Sequence, residues 1–306
     1  MKRPYFIIGS RGSPLALRQA AEVQDSIVAF DSFLKSESED VIITPIVTTG
    51  DRLYQKALAD FGGKGLFTKE IDEALLTKRV DLAVHSAKDL PTQLPEGLEI
   101  LGFMQRGDVR DAFISRSGLS LKQLSAESCI GTASLRRQAQ VKRVRPDLNV
   151  VVLRGNVETR LRKMNTGDVD AIVLAAVALE RLKLSDQKRE ILDIDSFLPA
   201  VGQGAIALVG RVHDEQTRAR VSPLIHHDTT QAIHAERAFL EVLDGSCRTP
   251  IAGYAHMLGE EIIFQGAVFS LDGQKCWSVT RRGLRHESLE MARCAAHTLI
   301  QERLKG

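Results

Sequence analysis

The stretch Thr68-Lys69-Glu70-Ile71-Asp72-Glu73-Ala74-Leu75-Leu76-Thr77-Lys78-Arg79-Val80-Asp81-Leu82-Ala83-Val84-His85 passes from a helical period into a β run. Ile71 and Leu75 stand four apart, which puts them on one helical face. Val80–His85 is short and apolar, the mark of a buried strand. The order returns further on, where a helix capped by Asn156 and ending near Thr166-Gly167 precedes Val169-Asp170-Ala171-Ile172-Val173. Two accounts of this echo stand: a pair of like domains, or the similarity that any helix, turn and buried strand share.

Outward from there, β-rich runs alternate with helical segments over the first two-thirds of the chain. Strands are expected at Tyr5–Gly9, Val41–Val47, Val80–His85, Leu98–Phe103, Cys129–Gly131, Val150–Leu153 and Ala171–Ala175. Ser13-Pro14 sets a cap followed by proline at the first helical position, and Pro146 stops a helix over Ser134–Arg145. Strands alternating with helices imply an α/β domain with a largely parallel sheet. Gln105–Asp108 and Leu198–Gly204 read as crossings between two such halves, which would leave a cleft with a hinge. From about residue 223 the texture changes. A helix over Thr230–Leu243, strands at Ile251–Met257, Ile262–Ser270 and Lys275–Thr280, and a helix over Glu287–Arg303 describe a small domain with an antiparallel sheet.

The chain has 306 residues and a formal net charge of +2, from 41 basic and 39 acidic side chains. That length suggests two or three domains with ample core. The balance argues against a generic nucleic-acid or membrane binder, so any polyanion site must be local. The four cysteines lack the paired short spacings of a zinc site, and a chain this long needs no disulfide framework. The apolar run after Met1-Lys2-Arg3 is too short for a signal peptide. A cytoplasmic protein is expected.

Cys247 lies in Asp244-Gly245-Ser246-Cys247-Arg248-Thr249-Pro250, a loop open enough to expose the sulfur, with an arginine that favours the thiolate. Cys129 and Cys276 fall in strand-like runs, and Cys294 on what reads as an apolar helix face. Cations are disfavoured at helix starts, yet Arg11 precedes the Ser13 cap, Arg136 and Arg137 follow Ser134, and Arg154 and Arg160 flank the Asn156 cap. Bound anions would account for them, since orphan backbone N–H groups and guanidinium forks bind anions together. Phosphates and carboxylates both fit that pattern. Phe61-Gly62-Gly63-Lys64-Gly65 is a glycine-rich loop without the spacing of a P-loop. Asp89 has two readings: a fixed carboxylate that steadies a developing cation or handles a proton, or a turn aspartate paired with Lys88. His85 reads as a satisfied core or strand-end histidine, and His226-His227 as surface.

In order along the chain, Ser10–Leu17, Gly63–Phe67, Val84–Pro91, Gly131–Gln138, Leu153–Arg160, Leu198–Gly204 and Cys247 resemble the porphobilinogen deaminase (hydroxymethylbilane synthase) family over essentially the whole length. The resemblance implies two domains like type II periplasmic binding proteins around a cleft, plus a small α+β C-terminal domain with an antiparallel sheet. Domain 1 would comprise residues 1–104 and 200–222, domain 2 residues 105–199, and domain 3 residues 223–306. The activity implied is a transferase of porphyrin and heme biosynthesis. It would polymerise porphobilinogen with loss of ammonia on a dipyrromethane cofactor, release 1-hydroxymethylbilane, and need no metal. Cys247 would hold the cofactor as a thioether. Lys88, Ser134, Arg136 and Arg137 match cofactor-binding positions, and Arg11, Ser13, Gln19, Arg154 and Arg160 match positions at or near substrate. Asp89 matches the catalytic aspartate. The resemblance further implies a monomer, with no nucleic-acid or membrane partner. Two departures are Asp60, where the family often has lysine, and Gly245-Ser246 in place of a double glycine. The alternative is a non-catalytic cytoplasmic carboxylate-binding protein of the same architecture, which would need neither Asp89 nor Cys247.

Overall fold

The computed structural model describes residues 5–33, 40–52, 67–184, 188–243 and 249–305. First along the chain come β1 (Tyr5–Arg11), α1 (Pro14–Phe33), β2 (Asp40–Ile46), α2 (Thr49–Arg52), α3 (Lys69–Leu76), β3 (Leu82–Ser86) and β4 (Leu98–Phe103). Then follow β5 (Asp111–Ser115), β6 (Cys129–Gly131), α4 (Leu135–Val144), β7 (Asn149–Val151), α5 (Val157–Thr166), β8 (Ala171–Ala175), α6 (Ala176–Arg181) and β9 (Glu190–Ile191). After these stand β10 (Ile206–Arg211), α7 (Glu215–Val221), α8 (His227–Val242), β11 (Ile251–Leu258), β12 (Glu261–Phe269), β13 (Cys276–Leu284) and α9 (Ser288–Lys305).

The chain forms two compact units, one of Met1–Arg106 with Ala205–Thr230, the other of Gly107–Gly204 with Gln231–Gly306. The sheet of the first unit has the order β2-β1-β3-β10-β4. β1 runs parallel to β2 and β3, and β10 antiparallel to β3 and β4. The second unit contains a sheet of order β7-β6-β8-β5-β9, with β6 parallel to β7 and β8 and β5 antiparallel to β8 and β9. The two sheets therefore share one plan. β3 and β8, the strands of the sequence echo, hold the same third place in it, so the echo reports a repeated arrangement.

Three strands lie where the sequence reading places none: β5, β10 and the two-residue edge strand β9. β5 and β10 each begin just beyond a crossing segment, and both enter their sheet antiparallel. Their runs are short, and the irregular crossings before them mask the start of the β pattern. Burial along β5 shows why the strand is nonetheless stable. Ala112 and Ile114 enter a core with Leu161, Ile172 and Leu179 on one face, while Phe113 joins Ile130, Val141 and Phe197 on the other. Such alternation is the period-two signature of a strand covered on both sides.

In the first unit, Phe6, Ile8, Val23, Ile27 and Val84 make a core between α1 and the sheet. A third sheet, the meander β11-β12-β13, belongs to the second unit. It packs Phe264 and Val268 against Phe239 of α8 and Leu299 of α9. Each fully buried side chain of this size contributes about 1.5–3 kcal/mol over leaving it exposed. Ala139 of α4 meets Ala252, Ala267 and Phe269, so small residues seat that helix on the meander. Fully buried Glu236 of α8 adds a polar tie, accepting hydrogen bonds from Gly202 N at 2.7 Å and Ala255 N at 2.8 Å.

Candidate active site

Parallel strands deliver their C-terminal ends, and the loops that follow, to one edge of a sheet, where α/β folds place ligands. In the first unit that edge carries Arg11, the last residue of β1, and His85 near the end of β3. The pairing Ile8↔Leu82 and Gly9↔Ala83 sets the two level on neighbouring strands. Ser13 opens α1, its Oγ accepting from Ala16 N at 3.4 Å. Asp89 ends a short turn, Ala87–Asp89, directly after β3. Arg11, Ser13, Gln19, Phe67, His85 and Asp89 line one recess of about 370 Å³, its open mouth included.

Arg11 is fixed from two sides. Its Nη2 donates to Asp51 Oδ1 at 2.5 Å, and its guanidinium lies 4.2 Å from the centroid of the Phe67 ring. Thr48 Oγ1 donates to the same carboxylate at 2.7 Å. Burial opposes ionisation of Asp51, but the hydrogen bonds from Arg11 and Thr48 outweigh it and hold the carboxyl below its usual range. Arg11 Nη1 lies 3.9 Å from Asp89 Oδ2. The Asp89 side chain is 37% exposed, the Arg11 side chain 16%, so Asp89 keeps an open side toward a ligand. Gln19 is buried and accepts from Ser86 Oγ at 3.0 Å. Lys88 stands beside Asp89 on the turn, half-buried.

His85 departs from its sequence reading. It is a core residue, 4% exposed, but its Nε2 is buried without a hydrogen-bond partner. Burial, and next the charge of Arg11, push its pKa down to about 4, so the ring is neutral at neutral pH.

In the second unit the same sheet edge carries the starts of α4 and α5. The pairing Gly131↔Val151 aligns β6 with β7, and Thr132 N donates to Val151 O at 2.9 Å, so the two loops run side by side. Ser134 caps α4, accepting from Arg137 N at 3.4 Å, and Asn156 caps α5, accepting from Thr159 N at 2.8 Å. The anion that Arg136 and Arg137 face is the protein's own Asp111. Arg137 Nη2 donates to Asp111 Oδ1 at 2.6 Å, and Arg136 Nη2 lies 2.8 Å from Oδ2. Gln203 Nε2 donates to Oδ1 at 3.1 Å. Burial would raise the Asp111 pKa, but the two guanidinium charges prevail and hold it down at about 2. Arg137 Nη1 is taken by Val173 O and Arg136 Nη1 by Leu198 O, whereas Arg136 Nε is buried without a partner. Half-buried Arg154 and Arg160 flank the Asn156 cap, with Arg160 Nε donating to Gly155 O at 2.8 Å.

The structure thus gathers Arg11, Ser13, Gln19 and Asp89 in one recess. It groups Ser134, Arg136 and Arg137 around Asp111, with Arg154 and Arg160 on the adjoining loop. Sequence reading missed Asp51, Asp111 and Phe67. Asp111 had a signal, a carboxylate opening the apolar run Ala112-Phe113-Ile114, which a buried strand tolerates only if the charge is paired. Cys247, Asp60 and the glycine-rich loop with Lys64 lie outside the described residues. Burial raises the thiol pKa of Cys129 and Cys276. Cys294 is exposed on α9, contrary to the apolar face expected, and its hydrogen bond to Glu290 raises its thiol. Among the described residues no cluster could hold a metal ion, and no helix is long and apolar enough to cross a membrane.

Comparison with known proteins gives a consistent result. The family model "Porphobilinogen deaminase, dipyromethane cofactor binding domain" matches residues 6–219, and "Porphobilinogen deaminase, C-terminal domain" matches residues 230–301. The chain is 50% identical to a porphobilinogen deaminase of Nitrobacter hamburgensis over 292 residues, covering 95% of this chain and 92% of that protein. It is 49% identical to a chloroplastic porphobilinogen deaminase of Oryza sativa, over 95% of this chain and 82% of that protein. Among solved structures, a YaeC-family lipoprotein of Enterococcus faecalis superposes with a TM-score of 0.43 at 10% identity, over 73% of this chain and 92% of that one.

Proposed function

Because the chain belongs to the porphobilinogen deaminase family, we propose that the recess of the first unit binds porphobilinogen and that Asp89 is its catalytic carboxylate. The protein is a transferase that joins porphobilinogen units with loss of ammonia on a dipyrromethane cofactor and releases 1-hydroxymethylbilane. The observation that carries the assignment is the pairing of a fixed cation with an open carboxylate, Arg11 and Asp89, 3.9 Å apart.

Each porphobilinogen presents an acetate and a propionate. Arg11, held by Asp51, receives carboxylate charge without having to be ordered on binding. Ser13 and Gln19 complete the polar wall. Loss of ammonia leaves positive charge spread over the substrate pyrrole, and a fixed carboxylate near the ring N–H stabilises that charge as it develops. Asp89 is placed to do this.

The donor set of the second unit fits a polycarboxylate. Arg136 Nε is buried and unpartnered at the start of α4, and Ser134, Arg137, Arg154 and Arg160 stand on the same sheet edge. With Lys88, the first three are assigned to the dipyrromethane carboxylates, Arg154 and Arg160 to incoming substrate, and Cys247 to the thioether. When bound, dipyrromethane supplies the pyrrole carbon from which the chain is extended. The assignment includes three domains, the third being residues 223–306 with the meander, in a cytoplasmic monomer. Sedimentation as a single 33.7 kDa species would agree with the last point.

The test is the mass of freshly purified, denatured protein, followed by peptide mapping. An excess matching two linked pyrroles on the Cys247 peptide is expected. A chain still unmodified after incubation with porphobilinogen would overturn the anchor. Asp89→Ala should keep the adduct and lose about 10²–10³-fold in kcat; a near-normal rate would remove Asp89 from its role.

A further inference from the structure

His85 offers a buried polar atom for which the fold supplies no partner. It lines the recess that holds Arg11, Ser13, Gln19 and Asp89, and its Nε2 makes no hydrogen bond. Leaving such a group unsatisfied is costly, so one at the wall of a recess calls for a partner that the fold does not supply. The neighbouring polar groups do not relieve it, because Ser86 Oγ and the Gln19 carbonyl are bonded to each other. Strand register sets Arg11 level with the ring, so an anion drawn to the guanidinium arrives beside the imidazole.

We propose that His85 is a substrate-binding residue whose Nε2–H donates a hydrogen bond to a carboxylate of the pyrrole held against Arg11. This rests on reading the recess as the porphobilinogen site. A neutral imidazole can donate from one nitrogen while the other stays unprotonated. Burial and the Arg11 charge keep the ring in that form. The recess thereby gains a directional donor beside Arg11 that adds no further positive charge near the substrate's aminomethyl group, which is itself cationic at neutral pH. An arginine fixes charge; a neutral donor fixes position. Together they would select a carboxylate on an arm of one length.

The test uses holoenzyme labelled with 15N-histidine and a porphobilinogen analogue lacking the aminomethyl group, which binds without reacting. On saturation, the His85 Nε2–H resonance should move downfield and exchange more slowly, and the apparent pKa of His85 should rise as the carboxylate arrives. The same analogue with one carboxylate replaced by methyl, made for each arm in turn, should abolish this response for one arm only. His85→Phe should raise KM roughly tenfold with a smaller fall in kcat, and His85→Gln, whose amide still donates, should recover part of the loss. An unchanged His85 signal at saturation, or an unchanged KM in His85→Phe, would overturn the proposal. If wild-type protein lacked both the Cys247 adduct and turnover, the reading of the recess would fail instead, a result the mass measurement separates from the first. Should His85→Phe fail to fold, His85→Gln and the wild-type resonances still decide.

Discussion

Asp111 has no exposed surface, yet two guanidinium groups and the Gln203 amide converge on it. A buried ion group of this kind adds little net stability, but removing one partner strands the others. Asp111→Asn should therefore cost about 3–5 kcal/mol, read as a lower urea midpoint at unchanged slope; an unmoved midpoint would contradict the pairing. Two depressed pKa values also set the acid response. The Asp111 carboxyl, at about 2 when folded against about 3.9 unfolded, gives stability that is full above pH 4 and lost as pH falls toward 2. His85 acts in a higher window. Its ring takes a proton near pH 4 in the fold but near about 6.5 in the unfolded chain, so the unfolded state gains protons first as pH drops. Stability from this group is full above pH 6.5 and declines by about 3 kcal/mol toward pH 4. Urea titrations of His85→Gln should lack that decline, and an equal slope in variant and parent would refute it.

At the scale of elements, capping chemistry was legible and antiparallel insertion was not. Ser134 and Asn156 announce α4 and α5, and both caps form. Gly167 ends α5 in the left-handed conformation at φ 91°, as a glycine after a helix should. β5 and β10 escaped because a five- or six-residue run after an irregular crossing resembles loop, and only pairing with β8, or with β3 and β4, makes it strand; the two residues of β9 become strand only by pairing with β5. The β12–β13 hairpin shows how an element's fit can rest on one residue. Gly273 has φ 74°, and a Cβ there would lie 2.2 Å from Ala139 O and 2.8 Å from Arg143 N of α4. Gly273→Ala should thus lift the hairpin from α4 and cost about 2 kcal/mol or more, seen as a thermal midpoint several degrees lower. A wild-type midpoint would show that the hairpin is not seated on α4.

At the scale of the molecule, among the described residues, three sheets each carry their own core, and within the second unit Glu236 links the segment Leu198–Gly204 to the meander through two backbone N–H groups. In Glu236→Gln one oxygen still accepts, but the amide N–H₂ must face the other donor. That mismatch should cost about 2 kcal/mol in chemical denaturation, and a neutral substitution would mean that water or a rearrangement serves the second donor. The sequence by itself determined the α/β class, the terminal antiparallel domain and the family, because periodicity, caps and ordered motifs are local properties of the chain, whereas the helix–strand echo became a repeat only through the shared strand order of two sheets. It also marked Arg11, Asp89, Ser134, Arg136 and Arg137 as a set. Only the tertiary structure decided what those residues face. Asp51, itself bonded by Thr48, holds Arg11, Asp111 takes both Arg136 and Arg137, and His85 is left with a buried nitrogen and no partner. Such partners come from strands and loops far apart in sequence. Charge pairing and burial depend on distances in space, which strand order and register set and no local pattern records.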